Sequence, residues 1–159
     1  AIKDALKVMM SGTEDEMIDF IDQFRKKFRS LPPEEISFPR TVSDVVKYKG
    51  RNAIYEKGTP IHARGSLLFN HHIKRLGLEG KYSLIGNGEK VKFCYLRSPN
   101  PIHENVMSFI QDFPREIGIE KYIDYDLQFE KSFLDPLKII LDVIQWNVEK
   151  TASLESFFS

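Results

Sequence analysis

The clearest hydrophobic pattern in the chain lies near its amino end, in the segment SGTEDEMIDFIDQFRKKFRSLPP (residues 11–33). Its large apolar residues recur every three or four positions, which places them on one stripe of a helix. Thr13 followed by Glu16 fits a capping box at the start, and the prolines at 32 and 33 end the helix. The spacing therefore predicts one amphipathic helix over this segment.

Two further segments of the first half carry helical patterns. TVSDVVKYK (residues 41–49) predicts a short helix capped by Thr41, after a strand-like ISF and a break at Pro39. Beyond the loop GRNAIYEKGTP, the segment IHARGSLLFNHHIKRLG (residues 61–77) predicts a longer helix that Gly77 closes.

The centre of the chain predicts a small antiparallel sheet. The turn sequence GNG lies between two strand-like segments, KYSLI and EKVKFCYLR, over residues 81–97. Turns that combine asparagine and glycine close tight β-hairpins. ENVMSFIQDF (residues 104–113) fits either a third strand or a short helix.

The carboxyl third returns to helical spacing. YDLQFEKSFL (residues 125–134) and PLKIILDVIQW (residues 136–146) predict two helices. We expect a break or kink between them at Asp135, because an aspartate followed by proline suits an N-cap and the first helical position. Helices at both ends with an antiparallel sheet between them predict an α+β domain over residues 1–150, followed by a flexible peptide at residues 151–159.

Length and composition suit one globular domain. The chain has 159 residues, of which 42% are hydrophobic and 29% charged. No apolar run reaches the roughly 20 residues that span a bilayer, so we expect no membrane partner. Cys94 is the single cysteine, which excludes an intrachain disulfide. Helical periodicity begins directly at Ala1, which is typical of part of a longer polypeptide.

Charge is unevenly distributed, although the net charge is zero. Residues 47–97 contain eleven lysines and arginines against three glutamates, and the segments on either side are acidic. One interpretation is a polyanion contact on one face of the protein. The other is that the basic segment pairs with the acidic ones over long range.

Residues that could perform a reaction are sparse. The sequence has no Gly-rich phosphate loop, Cys/His cluster or nucleophile elbow, and we expect no cofactor or metal on this chain. His71 and His72 point to different faces of a helix and do not chelate one ion. Asp124 and Asp126 have a spacing that can hold magnesium on a strand, but they open a helical stretch, where acidic residues favour the helix dipole. The residues therefore favour a binding module over an enzyme.

The segment KGTPIHARG (residues 57–65) is the most suggestive binding candidate. Lys57, His62 and Arg64 lie close together along the chain, and Gly65 permits another backbone to approach closely. Guanidinium and imidazole donors beside exposed amides suit phosphate oxygens. The alternative is an ordinary turn before a helix, with Arg64 paired to an acidic residue.

With TPIHARG, FEKSFLDPL and ASLESFF in this order, the chain resembles the carboxyl-terminal thumb region of T-even-like phage replicative DNA polymerases, of family B. The opening AIKDALK and the segment GEKVKFCYLRSPNPIHEN extend this resemblance over the whole chain. In that family the thumb closes on the duplex behind the active site and holds primer–template through its backbone and minor groove.

The resemblance implies partners and a location for this chain. They are primer–template duplex DNA, a sliding clamp, and the palm and remainder of a polymerase, in the cytoplasm of an infected bacterial host. In the family the catalytic aspartates lie in the palm, where magnesium is also expected. The resemblance thus implies no catalytic residue on these 159 residues.

The resemblance also implies which residues contact DNA. Pro60, His62, Arg64 and Gly65 fall on the family's Pro-x-His-x-Arg-Gly segment, and Lys131 falls on a DNA-contacting lysine. The predicted DNA-binding set is Lys57, His62, Arg64, Gly65 and Lys131.

The chain departs from the family pattern at three places. Asp135 stands where the family often has a second lysine, and Asn105 stands where it has a lysine after Asn-Pro-Phe-Gly-Asp. The family's Gly-rich lead-in is replaced by RNAIYEKG, in which Arg51 and Lys57 could compensate.

The carboxyl-terminal SLESFF is similar to the peptides by which these polymerases dock on a sliding clamp. The resemblance implies clamp contacts for Ser153, Leu154, Phe157 and Phe158. The alternative is that both phenylalanines fold back onto the domain.

Two other functions remain open from the sequence. One is a stand-alone replication adaptor that binds a clamp but not DNA. The other is a metal-dependent nuclease that would use Asp124 and Asp126.

Overall fold

Helices occupy both ends of the chain, and a three-stranded sheet lies between them in sequence. The computed structural model describes residues 2–144. Within that range the α-helices are α1 (Ile2–Ser11), α2 (Glu14–Phe28), α3 (Pro33–Ile36), α4 (Ile61–Arg75), α5 (Tyr125–Phe129) and α6 (Asp135–Val143). The strands are β1 (Phe38–Val42), β2 (Glu89–Tyr95) and β3 (Val106–Phe109). This content confirms the predicted α+β class.

The described residues fall into two compact units. The first, called here the helical unit, takes its residues from Ala1–Leu31 and Tyr125–Ser159. The second, called here the sheet unit, is Pro32–Asp124. The segment 1–150, which the sequence predicts as one domain, contains residues of both units.

An aromatic cluster forms the core of the helical unit. The ring centroids of Phe24 and Phe133 lie 4.8 Å apart, and those of Phe28 and Phe129 lie 5.2 Å apart. Such pairs add to the free energy of burying the rings. At the start of α2, the Glu16 amide donates to Thr13 Oγ1 over 3.2 Å, which confirms the predicted N-cap.

The predicted N-cap at Asp135 is wrong, although the α-helical pattern is interrupted directly before it, at Glu130–Leu134. The backbone of Asp135 is helical, with φ −60° and ψ −48°, whereas an N-cap takes an extended conformation. A π turn at Glu130–Leu134 joins α5 to α6, and the Asp135 amide donates to the Glu130 carbonyl, five residues back. This widened turn precedes Pro136, which has no amide hydrogen to donate.

The sheet unit is built on an antiparallel sheet in the order β1-β2-β3. Arg40 lies opposite Val91 across the first pair of strands, and Cys94 lies opposite Met107 across the second. Helix α4 packs against β3. After α4, Gly77 adopts φ +67°, which confirms the predicted glycine closure of this helix.

The predicted hairpin over residues 81–97 is wrong, because residues 81–85 form no strand and β2 pairs with β1 and β3. Two asparagine side chains explain the difference. Asn70 binds both the amide (2.7 Å) and the carbonyl (2.9 Å) of Ile85, which takes the backbone groups that a strand would use. Asn87 Oδ1 accepts from the amides of Val45 and Val46 at 2.5 and 3.2 Å.

The helix predicted over residues 41–49 is also wrong in its first half. Thr41 lies in β1 opposite Lys90 and caps no helix. A 3-10 turn at Val46–Tyr48 is the helical part that forms. The segment 104–113 resolves to the strand alternative, as β3.

Candidate nucleic-acid interface

The segment that carries the predicted binding residues folds as the start of α4. Pro60 is the N-cap, with φ −54° and ψ 146°, and its carbonyl accepts the first helical bond from the Arg64 amide at 2.8 Å. The helix therefore begins immediately before His62 and places the predicted residues in its first turns.

Arg64 is half-buried, and two neighbours hold its guanidinium. Nη2 donates to Asn105 Oδ1 over 2.6 Å, and Cζ lies 5.7 Å from the centroid of the Tyr55 ring. Nε is buried and has no hydrogen-bond partner within residues 2–144. A guanidinium has five N–H donors, so Arg64 keeps donors for a further ligand. The predicted alternative, in which an acidic residue pairs with Arg64, is absent from the described part of the chain.

Glu104 holds Tyr55, the aromatic neighbour of Arg64. The Tyr55 hydroxyl donates to both carboxylate oxygens of Glu104, at 2.9 and 3.0 Å. Burial, together with the hydrogen bond to Glu104, raises the pKa of Tyr55 above its usual value, so the phenol stays a neutral donor.

Asn100 fixes the loop that brings Glu104 and Asn105 to this place. Its side chain is 5% exposed, and Nδ2 donates to the carbonyls of Arg97 (2.8 Å) and Glu104 (2.6 Å). A buried amide with both donors used holds a loop in one conformation. Asn100 therefore holds Asn105 in the position from which it accepts the hydrogen bond of Arg64.

His62 contributes through its backbone as well as its side chain. Its carbonyl accepts from Ser66 Oγ at 2.8 Å and from Ser108 Oγ at 3.0 Å, which ties α4 to β3. Burial, and secondarily the charge of Arg40, lowers the pKa of the imidazole below its usual value. At neutral pH His62 is thus an uncharged hydrogen-bonding group.

Gly65 is buried at the contact between α4 and β3. A Cβ at this position would lie 2.9 Å from the Ser108 amide nitrogen and would collide with the Ser108 hydroxyl. The close approach that the sequence predicts at Gly65 is therefore explained by packing on the sheet.

Lys57 and Lys131 lie in different units. Lys57 is exposed in the loop before α4, next to Gly58 with φ +83°. Lys131 is in the π turn of the helical unit, where Nζ lies 3.8 Å from Asp135 Oδ2. The structure thus brings Lys57, His62, Arg64 and Gly65 into one unit, and Lys131 belongs to the other. The predicted clamp residues, Ser153, Leu154, Phe157 and Phe158, lie outside the described residues.

The cations of residues 47–97 are largely free of carboxylates. Among the eleven, only Lys81 forms an ion pair in the part of the chain that the structure describes, with Glu116 at 3.0 Å. Among the described residues, direct pairing of the basic segment with carboxylates is therefore limited to this one ion pair. The sheet unit presents an excess of positive charge that a polyanion can neutralise.

Asp126 has a structural partner. One of its carboxylate oxygens accepts from Arg29 Nε at 3.1 Å and from Arg29 Nη2 at 2.8 Å. No group of three or more metal-ligating side chains occurs among residues 2–144. Within the same residues, no helix is long and apolar enough to cross a membrane.

Sequence reasoning missed Tyr55 as a neighbour of Arg64 and named Asn105 only as a departure from the family pattern. Tyr55 lies in RNAIYEKG, the other departure in the sheet unit. Both residues lie where the chain departs from the family pattern. Two departures that occur together in one protein could have indicated that the two segments are in contact.

Comparison with known proteins finds two similar proteins of the same kind. No family model matches the chain. The chain is similar to the DNA-directed DNA polymerase of Enterobacteria phage T4, with 26% identity over 162 residues that cover 99% of this chain and 18% of the polymerase. It is also similar to the DNA-directed DNA polymerase of Escherichia phage RB69, with 27% identity over 163 residues and the same coverage. The predicted resemblance is confirmed, and the chain spans less than a fifth of the length of these relatives.

Proposed function

We propose that this chain is the thumb part of a family B phage DNA polymerase, and that it holds primer–template duplex DNA through the phosphate backbone. The observation that carries the proposal is the guanidinium of Arg64, which Asn105 and Tyr55 hold with no carboxylate partner among residues 2–144. The similarity to two phage DNA polymerases over nearly the full chain supports it.

A charge held in this way suits a phosphate. Asn105 is neutral, so this hydrogen bond orients Arg64 without neutralising its positive charge. Arginine then offers its remaining N–H donors in the planar fork that matches phosphate oxygens. Lys57, exposed in the preceding loop, adds a second charge close to it in sequence.

The contacts to DNA in this proposal carry no sequence code. Phosphate contacts position a protein on the duplex, and base edges specify sequence. A polymerase thumb must hold every sequence that passes through it, so a surface of lysine and arginine donors fits that role. In the helical unit, Lys131 would provide a further phosphate contact.

We further propose that the carboxyl-terminal peptide docks on a sliding clamp. Leu154, Phe157 and Phe158 would enter an apolar pocket of the clamp, and Ser153 would precede them. The catalytic residues and their magnesium would lie elsewhere in a complete polymerase, and the chain by itself would catalyse no reaction. The setting would be the cytoplasm of an infected bacterium.

Salt titration of duplex binding tests the proposal. A fluorescent DNA duplex of mixed sequence is titrated with the whole chain between low and moderate salt. The logarithm of affinity should fall linearly with the logarithm of salt concentration, since each neutralised phosphate releases bound counterions. Duplexes of different sequence should give the same curve.

Failure to bind any duplex at low salt would refute the thumb assignment. If the chain nevertheless bound a purified phage sliding clamp, the alternative of a clamp-binding adaptor without DNA binding would replace it. Duplex cleavage in the presence of magnesium, lost in Asp126→Asn, would instead favour a nuclease.

A further inference from the structure

A cleft of about 570 Å³ opens in the sheet unit, beside α4 and the loop that precedes it. Its volume is within the range of small-molecule binding sites. The buried side chains of Val45, Leu67 and Ile85 line it, which gives the cleft an apolar floor.

The cationic residues Lys49, Arg51 and Lys74 also line the cleft. All three are exposed, and none forms an ion pair within residues 2–144. Among the residues that the structure describes, no aspartate or glutamate lines the cleft. Three uncompensated cations around one small volume favour a ligand that carries a concentrated negative charge, such as a phosphate.

The loop at the mouth of the cleft is held in place. Lys49 and Tyr55 form a β-bridge, and the Glu56 amide donates to the Tyr48 carbonyl at 2.8 Å. A Cβ at Gly50 would collide with the Ala53 carbonyl, so the loop requires glycine there. Between these ends, the amides of residues 51–54 donate no hydrogen bond within the described part of the chain. A preformed loop with available amides suits an anion.

Planar side chains stand beside the same apolar floor. His71 and Lys74 follow Leu67 at helical spacing on one face of α4, and the His71 side chain is exposed. Histidine rings and arginine guanidinium planes are surfaces on which nucleobases stack, so His71 and Arg51 can contact the face of a base.

We propose that this cleft binds one unpaired nucleotide. The base lies on the apolar floor against His71 or Arg51, and the phosphate lies among Lys49, Arg51 and Lys74. The nucleotide can come from a single-stranded DNA segment or from a free mononucleotide, and both present the same chemistry. The cleft does not depend on a grip on duplex DNA, so the two proposals can fail separately.

The experiment uses the whole chain and probes that contain no duplex. Binding of a fluorescent oligo(dT) is measured by anisotropy, and binding of thymidine monophosphate is measured by amide chemical-shift changes. We expect the shifts at residues 50–54 and 70–74. The double variant Arg51→Ala, Lys74→Ala should bind about tenfold or more weakly, because it loses two charge-assisted phosphate contacts. Lys121→Ala, an exposed lysine that does not line the cleft, should change affinity less than about twofold.

The two probes distinguish the sources. If both probes bind with similar affinity and both lose binding in the double variant, the source is a free mononucleotide. If the oligonucleotide binds much more tightly than the monophosphate, the source is a strand. The proposal is overturned if neither probe binds, if the double variant binds normally, or if Lys121→Ala weakens binding equally. An acidic peptide of alternating aspartate and leucine provides a further test. The proposal is also overturned if this peptide changes the amide chemical shifts of residues 50–54 and 70–74 and the nucleotide probes do not.

Discussion

Arg64 Nη2 donates a 2.6 Å hydrogen bond to Asn105 Oδ1, 41 positions further along the chain. The resemblance to phage polymerases aligns Asn105 with a lysine, and in this chain the neutral asparagine orients the arginine. Asp135 in the helical unit also stands in place of a lysine, but there the carboxylate lies 3.8 Å from Lys131 Nζ and offsets its charge.

Arg64→Ala should weaken duplex binding about tenfold, since hydrogen bonds to a charged partner contribute roughly 1.5–3 kcal/mol. The salt dependence should lose about one phosphate contact, and the loss should be equal for all duplex sequences. Anisotropy titrations over a salt series measure both quantities. Lys121→Ala removes the same charge elsewhere in the sheet unit and serves as the control. A loss that differs between duplex sequences would contradict a backbone contact.

Asp135→Asn should strengthen duplex binding, because it removes the carboxylate that faces Lys131. The ion pair is half exposed, so it contributes less than about 1 kcal/mol to stability and melting should change little. We expect an affinity gain of a few-fold at low salt that disappears in Lys131→Ala, Asp135→Asn. An equal gain in the double variant would show that Lys131 makes no contact with DNA.

Local patterns predicted the elements whose determinants lie within them. The cap of α2 at Thr13 and the end of α4 at Gly77 depend on neighbouring residues, and both predictions are confirmed. The hairpin prediction failed because the Asn70 side chain, 15 positions earlier, forms hydrogen bonds with both the amide and the carbonyl of Ile85. No local pattern contains that interaction.

The candidate site divides in the same way. Lys57, His62, Arg64 and Gly65 lie within nine consecutive residues, so their proximity follows from the sequence. The partners that decide whether Arg64 is free, Asn105 and Tyr55, reach it through tertiary structure. The role of Gly65 against Ser108 likewise appears only when α4 packs on β3.

Gly65→Ala should lower the free energy of unfolding by about 1–3 kcal/mol, as overpacking of a close contact does. The added methyl group meets the Ser108 backbone nitrogen at 2.9 Å, which the strand cannot move without disturbing its pairing. Gly86→Ala is the matched control, because its Cβ would have a single neighbour at 3.7 Å. Urea unfolding measures both variants. Equal stability of the two would show that α4 does not pack this closely on β3.

His72 should make stability depend on pH. Its side chain is 7% exposed, Nδ1 accepts from Arg75 Nε at 3.1 Å, and burial lowers its pKa to about 4 from the usual 6.5. The unfolded chain therefore binds a proton more readily than the folded one between these values. The contribution is nearly complete at pH 7 and falls by about 2 kcal/mol between pH 7 and pH 4.5, as the pH approaches the lowered pKa.

Urea unfolding at pH 7 and pH 4.5 measures this loss. In His72→Gln, which keeps an acceptor but does not titrate, the difference between the two pH values should shrink by that amount. If the difference between the two pH values stayed the same in His72→Gln, the pH dependence would not come from His72.

Deletion of residues 153–159 should abolish binding to a sliding clamp and leave the melting temperature unchanged. Burial of Leu154, Phe157 and Phe158 in a pocket contributes about 1.5–3 kcal/mol for each side chain, whereas ordering the peptide backbone costs about 1 kcal/mol or more per residue. The isolated peptide should therefore bind with a Kd of about micromolar or weaker.

The full chain should hold clamp and DNA together much more tightly than either one, because one contact raises the effective concentration of the other. Purified clamp, loaded on circular duplex DNA, provides the measurement, with Phe157→Ala, Phe158→Ala as the point variant. This variant should dissociate as fast as the deletion and should bind free duplex normally. A fall in melting temperature in either variant would mean instead that the phenylalanines pack on the chain itself, since loss of buried aromatic rings destabilises a fold. Weak separate contacts that become strong in combination are what a polymerase requires to remain on its template and still be released at the end.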